Sequence, residues 1–392
     1  MFVPRYASIT ERLATPDNDV WAVHERALEM QRNGDDVILL SVGDPDFRTP
    51  EPIIDNAISH LRVGRTHYSP ALGEIKLRRA VADGETQSSP HRCDVDEVAV
   101  FPGATAALYA VMSCLLDAGD EIVIPEPMYV GYTPIMAAVN ASVRTVPLNA
   151  ESGFQLDVAA VMAALTEQTR VLFLNTPGNP TGSIIPRSDI RELAAYCRER
   201  GIWMVCDEVY SQFAYDGKHM SARASAEHLD NIVMVDGLSK SHAMSGWRMG
   251  WVVAPAELIN RLGSFAGATL FGCPQFIQDA SAFALENDQD YVGQMRIDYR
   301  HRRDFVLRRL RKLEALQCTR PHAGMFIMCN VAATGMDGGE FAQRLLDEQA
   351  VSVIPGAAFG PSARDYVRLG LAQKEVVLKR ACKRIKAFCK GL

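Results

Sequence analysis

The sequence predicts an α/β fold, with a large domain built on a mostly parallel sheet sandwiched by helices and a smaller α+β domain. Three observations carry this. From residue 98 onward, short runs of nearly unbroken apolar residues alternate with segments of helical periodicity. Strands apolar on both sides are buried on both faces, as in a parallel sheet covered by helices. After about Tyr291 the pattern changes to a long arginine-rich helix followed by short strands. At 392 residues the chain is long enough for more than one core. The expected division is an N-terminal arm with part of the small domain at 1–45, a large domain at 46–290 and a small C-terminal domain at 291–392.

Taken in order, residues 20–32 read as an amphipathic helix, with Asp17, Asn18 or Asp19 as cap and Gly34 as stop. Residues 37–42 form a short apolar strand that ends in the turn Gly43-Asp44-Pro45-Asp46. A helix at 53–61 follows two prolines, and 64–73 is an extended loop. Strands are expected at 98–101, 121–124, 143–146, 171–174, 203–206, 232–235 and 251–254. Helices are expected at 104–116, 157–165 and 187–200. Beyond them lie a charged helix at 296–313, its arginines on a solvated face, and strands at 325–330 and 351–354.

Bulk properties exclude several classes. Hydrophobic content of 48% and charged content of 22% are those of a soluble globular protein. A net charge of −6 without any basic run argues against a nucleic-acid partner. Nine scattered cysteines, with no CxxC and no pairing with histidine, predict reduced thiols in a cytoplasm and no metal site. The start Met1-Phe2-Val3-Pro4-Arg5 lacks an apolar signal core, and the longest apolar run, around 106–116, is too short to span a bilayer. No GxGxxG follows the first strand, which excludes a nicotinamide dehydrogenase.

The chemistry centres on Ser239-Lys240-Ser241-His242-Ala243-Met244-Ser245-Gly246-Trp247-Arg248. Lys240 stands between two core strands, where desolvation lowers an amine's pKa and frees it to attack a carbonyl. Alone, such a lysine is more often salt-bridged or snorkelling. Arg248, eight residues on, and the hydroxyls around Lys240 supply what a phosphate needs. An amine nucleophile beside a phosphate site points to pyridoxal 5'-phosphate. Asp207, at the end of a buried strand, needs a cation partner or bears a large desolvation cost. A protonated pyridine nitrogen is such a partner, and a structural salt bridge is the other. Tyr210, three residues on, would donate to the cofactor's phenolic oxygen. Asp207 and Lys240 are one strand–helix–strand step apart, so they can reach opposite ends of one ring.

Other candidates lie where parallel sheets place ligands, beyond the carboxyl ends of strands. Gly103-Ala104-Thr105 opens a helix whose free N–H groups suit a phosphate, or is an ordinary capped turn. Tyr129 can stack on a pyridine face or belong to the core. The phrase Asn175-Thr176-Pro177-Gly178-Asn179-Pro180-Thr181-Gly182 makes a rigid loop with outward amides. Arg368, within the apolar strand Tyr366-Val367-Arg368-Leu369-Gly370, invites a bidentate carboxylate.

These motifs resemble the class I/II aminotransferases of the fold type I pyridoxal-phosphate enzymes, over about residues 41–371. The Lys240–Gly250 stretch is similar to the family's lysine motif, and 175–182 is similar in full to its NxPxNPTG phrase. Within the family, LLSVGDPDF, EPMYV, DEVYS, LSKSHAM and AFGPSA look most like arginine–pyruvate transaminases. The resemblance implies a phosphate cup of Gly103, Ala104, Thr105, Ser239 and Arg248, with Tyr129 stacked on the ring. It implies Asn179 on the phenolic oxygen and near the substrate. Arg368 would hold the substrate α-carboxylate, with a backbone contact from Gly43. Tyr68 would cross a dimer interface to the phosphate, which implies a homodimer with shared active sites. Gly237 departs from the family, which often has a hydroxyl or amide there, and leaves phosphate affinity in question.

The expected activity is transfer of an α-amino group from an amino acid to a 2-oxo acid such as pyruvate. The region between Arg261 and Arg296 lacks any Lys or Arg for a distal carboxylate, whereas Asp17, Asp19 and Glu126 are acids placed to meet a guanidinium. L-Arginine or another basic donor is therefore expected. The alternatives are an aspartate or aromatic aminotransferase and a C–S lyase using the same residues. A ligand-sensing regulator on the same fold would need a DNA-binding module, and no basic helix-turn-helix is visible.

Overall fold

The computed structural model describes residues 4–14, 21–287 and 290–392. In chain order the strands are β1 (Ile38–Leu39), β2 (Val98–Phe101), β3 (Glu121–Glu126), β4 (Ser142–Pro147), β5 (Thr169–Asn175), β6 (Trp203–Asp207) and β7 (Ile232–Gly237). They continue as β8 (Gly250–Val253), β9 (Gln317–Cys318), β10 (Phe326–Asn330), β11 (Val351–Ser352), β12 (Ile354–Pro355) and β13 (Tyr366–Gly370). Seven of them form one sheet in the order β2-β8-β7-β6-β5-β3-β4. All its pairs are parallel except the two made by β8, so the expected mostly parallel sheet is present.

The sheet is covered on both faces, which is why its central strands carry apolar residues at successive positions. On one face, helices Ala104–Leu115, Tyr132–Val139 and Ala256–Thr269 pack on Phe101, Ile124, Phe173, Val205 and Val235. On the other, Val158–Ala164 and Arg187–Glu199 pack on Val123, Leu172, Leu174 and Met204. Helices Glu51–Arg62, Ile75–Ser88 and Gln275–Asn287 form a further cluster around Val98, Trp251 and Val253.

A second sheet, β12-β13-β10-β9, is antiparallel throughout. The N-terminal β1 pairs with β11 in parallel. Helices Ala22–Arg32, Asp290–Leu310, Gly338–Gln349 and Glu375–Lys390 bury their apolar stripes in the core of this region.

Several expectations change. The strand expected at 37–42 is only Ile38–Leu39. The Leu40 N–H still bonds to Ser352 O, but the Ser41 carbonyl accepts from Arg368, which pulls the chain off the ladder toward the cavity. The helix expected at 20–32 runs Ala22–Arg32 from a Trp21 that makes no side-chain cap bond; the expected caps Asp17, Asn18 and Asp19 lie outside the described residues. The arginine-rich helix is not solvated all along its length. Arg303 is fully buried, bonds to Asp216 at 2.7 Å and to the Pro321 carbonyl at 2.9 Å, and joins the helix to the segment after β6.

Candidate active site

A cavity of about 330 Å³ opens at the carboxyl ends of β5, β6 and β7 and is closed from the other side by β10 and β13. Gly43, Ala104, Thr105, Tyr129, Asn179, Asp207, Tyr210, Ser239, Lys240, Arg248 and Arg368 all line it. The fold therefore brings together residues separated by more than three hundred positions.

Lys240 sits in the one-turn helix Leu238–Ser241 after β7. Its Nζ donates to the Gly43 carbonyl at 2.8 Å. Burial depresses its pKa, with Asp44 opposing and Arg368 and Arg248 reinforcing the effect. An amine so placed is easily deprotonated and nucleophilic.

Asp207 ends β6 in register with Asn175 on β5. Its side chain is buried, and burial pushes its pKa up to about 6 despite bonds from the Tyr132 hydroxyl (2.7 Å) and the Val209 N–H (3.2 Å). The Asn175 side-chain amide and the Thr176 N–H both bond to the Asp207 carbonyl, which ties the Asn/Pro/Gly loop to the strand end. Asn179 is held by an N–H bond to Asn175 Oδ1 at 2.7 Å.

Arg248 lies against the start of helix Ala104–Leu115. A Cβ on Gly103 would come 2.3 Å from Arg248 Nη2 and displace the guanidinium, and the Gly103 φ of +91 lies in the region that favours glycine. Arg248 donates to the Ser245 carbonyl at 2.7 Å. Arg368 is buried, with Nη1 on Asn179 Oδ1 and Nη2 on Ser41 O, both at 2.9 Å. Phe326 lies 4.2 Å beneath its guanidinium, Nε has no hydrogen-bond partner among the described residues, and burial pushes its pKa down to about 10.

Charges in the cavity are unpaired in a telling way. Among the described residues no carboxylate ion-pairs with Lys240, Arg248 or Arg368, and no cation ion-pairs with Asp207. A buried charge without a counterion is costly unless a ligand supplies one. Pyridoxal phosphate fits this set: an aldehyde for Lys240, a phosphate for Arg248 and the helix N–H groups, and a protonated nitrogen for Asp207. Arg368 is left for a substrate carboxylate.

Other expectations are corrected. Glu126 does not face the cavity. It is buried and accepts from the Ser362 N–H at 2.8 Å, so its carboxylate holds the 360–362 turn instead of meeting a ligand. Gly237 is a packing requirement: a Cβ there would fall 2.7 Å from the Met249 carbonyl on the adjoining chain. Ser245 brings a further hydroxyl to the cavity that the sequence reading did not assign. Tyr68 is outside this chain's cavity and 81% exposed. Tyr132, Asp44, Trp21 and Phe326 also line the cavity and were not anticipated. Only the position of Asp44 beside Gly43 offered a signal.

A cavity with this donor set, at strand ends of a covered parallel sheet, is that of a pyridoxal-phosphate-dependent transferase. The chain belongs to the class I and II aminotransferases, whose family model matches residues 35–385. It is 44% identical to arginine–pyruvate transaminase AruH of Pseudomonas aeruginosa, over 98% of either chain. It is 36% identical to an aspartate aminotransferase of Pyrococcus abyssi, over 89% of this chain and 91% of that one. A solved Thermus thermophilus aspartate aminotransferase mutant superposes with a TM-score of 0.93 at 31% identity, covering 100% of both chains. The protein is a pyridoxal-phosphate-dependent aminotransferase.

Proposed function

We propose that this aminotransferase takes its amino group from L-arginine or another basic amino acid and delivers it to a 2-oxo acid such as pyruvate. One observation carries the donor reading: the sorting of charges in the cavity. Its three cations, Lys240, Arg248 and Arg368, have roles with the cofactor aldehyde, its phosphate and the substrate α-carboxylate. No further cation among the described residues lines the cavity to receive a distal carboxylate. The carboxylate left over is Asp44, which lines the cavity and forms no ion pair among the described residues, although Lys240 feels its charge. It can meet a guanidinium or ammonium, and Trp21 also lines the cavity. The relative at 44% identity is named for arginine and pyruvate, which agrees with this reading. Asp17 and Asp19, also expected near a basic side chain, lie outside the described residues.

In this reading pyridoxal phosphate supplies a covalent handle for the amino group and a ring that draws electrons from the substrate Cα. The chain's residues do the rest. Arg368 would grip the α-carboxylate bidentately, its Nη1 steadied by the bond to Asn179 Oδ1. Lys240 Nζ takes the proton from Cα and later returns one, as general base and acid. Asp207, held by Tyr132, would keep a proton on the pyridine nitrogen. Tyr129 would stack on the ring, Tyr210 and Asn179 would hold the phenolic oxygen, and Gly103, Ala104, Thr105, Ser239 and Arg248 would hold the phosphate.

A donor screen with pyruvate and 2-oxoglutarate as acceptors tests the specificity. L-Arginine is expected to give a higher kcat/KM than L-aspartate, with alanine accumulating from pyruvate. Asp44→Asn should lower kcat/KM for arginine about tenfold while leaving an uncharged donor within about twofold, as for loss of one partly exposed charged contact. Preference for aspartate with 2-oxoglutarate would return the protein to the aspartate aminotransferases.

A homodimer with shared sites fits the surface. Tyr68 and Phe271, 81% and 62% exposed, pack edge-to-face at 5.1 Å. An exposed aromatic pair suits a partner's surface. Sedimentation should give twice 43.1 kDa, and a concentration-independent monomer would end the shared-site reading. No helix among the described residues is long and apolar enough to cross a membrane. Residence in the cytoplasm is supported by nine free cysteines. The division at 1–45, 46–290 and 291–392 is supported by the β1–β11 pairing and by the separate cores of the two sheets.

A further inference from the structure

Cys318 and Cys329 face each other at the edge of the antiparallel sheet, far from the cofactor residues in sequence. β9 and β10 pair with these two cysteines in register. The Thr319 N–H donates to the Met328 carbonyl at 2.9 Å, so ladder bonds flank the cysteine pair without linking it. At such a position in an antiparallel ladder, opposing Cα atoms stand about 4.5 Å apart and side chains approach most closely. That spacing lies within the span a disulfide bridges. Both thiols are free and their Sγ atoms are 2.8 Å apart.

The two sulfurs differ in access. Cys329 is fully buried, whereas Cys318 is part-exposed and lines a surface depression with Arg311, Gln317 and Asn330. Cys382 and Cys389, on helix Glu375–Lys390, lie close enough to Cys329 to be felt electrostatically. Burial raises the pKa of the Cys329 thiol, which suits a sulfur that reacts second.

We propose that Cys318 and Cys329 are a peroxide-operated dithiol pair that reversibly staples β9 to β10. The Cys318 thiol attacks hydrogen peroxide, the O–O bond breaks, and a sulfenic acid and one water form. The Cys329 thiol then attacks the Cys318 sulfur, the S–O bond breaks, and a second water leaves. Two thiols and one peroxide thus become one disulfide and two waters. A small dithiol reverses the step by exchange. The staple lies one strand away from Arg368: Met328, next to Cys329, is registered opposite Arg368 on β13. Oxidation therefore stiffens the sheet that presents Arg368 without occupying the cavity.

The test treats the holoenzyme with a small excess of hydrogen peroxide and maps thiols by non-reducing digestion and mass spectrometry. The expected result is a single cross-linked peptide pair joining residues 318 and 329. Free thiols should fall by two of the nine and return with dithiothreitol. The oxidised protein should melt about 2–4 °C higher. Cys329→Ala should give no cross-link and accumulate Cys318 sulfinic acid, and Cys318→Ser should leave Cys329 as thiol. A bridge from Cys318 to Cys382 or Cys389, over-oxidation of Cys318 without a bridge in the wild type, or no reaction at either cysteine overturns the proposal.

Discussion

Lys240→Ala is expected to lower turnover by about four orders of magnitude or more, because one substitution removes both the amine that bonds the cofactor and the group that moves the Cα proton. Nothing else in the cavity can substitute. The other two cations are guanidiniums, one buried against Asn179 and Ser41 and one placed against the helix start at Gly103. Neither can act as a neutral base. The same change should abolish covalent trapping. Borohydride treatment of the wild type should add the mass of the reduced cofactor to the peptide containing Lys240 and bleach the visible absorption. The variant should show no such adduct. Near-native transamination by Lys240→Ala would refute the assignment.

Asp207→Asn is expected to reduce kcat by about two to three orders of magnitude while cofactor content stays close to wild type. The substitution is nearly isosteric; the amide oxygen can keep the bond from the Val209 N–H, and the Tyr132 hydroxyl, which bonded the other carboxylate oxygen, can turn to accept from the new NH2. What is lost is the negative charge. In the structure that charge is buried without a counterion, which is why the carboxyl's pKa rises to about 6. A cation on the cofactor would reverse that shift, and the favourable energy belongs to the protonated ring. An uncharged amide no longer holds the proton there, so negative charge at Cα is less well stabilised. A shifted cofactor absorption with retained stoichiometry would accompany the rate loss. A wild-type rate with an unaltered spectrum would remove Asp207 from the electron-withdrawing role.

Much of the cavity was legible in the chain because its chemistry sits on local patterns. Lys240 follows a buried strand that breaks at glycine, and Asp207 ends one. Asn179 lies in a loop whose asparagines, prolines and glycines announce rigidity, and Arg368 interrupts an apolar strand. Alternation of apolar runs and helices likewise implied a parallel sheet before any contact was known, since a strand covered on both faces must be apolar on both. Tyr132 carried no comparable signal. It looks like any tyrosine opening a helix, and its bond to Asp207 joins positions 75 residues apart.

The sequence by itself determined the class of chemistry: which residue types are present, how they punctuate strands and helices, and hence which cofactor they suit. Only the tertiary structure decided which charges find partners. Glu126, expected to face a ligand, is consumed by the Ser362 N–H, and Arg303, expected in solvent, is buried on Asp216. Among the described residues Asp44 and Asp207 form no ion pair with a cation, and Arg368 none with a carboxylate. The physical reason is that secondary structure follows from interactions a few residues long, whereas burial and ion pairing depend on what distant segments bring. A residue's type states what it can bind; the packing around it states whether that capacity is already used.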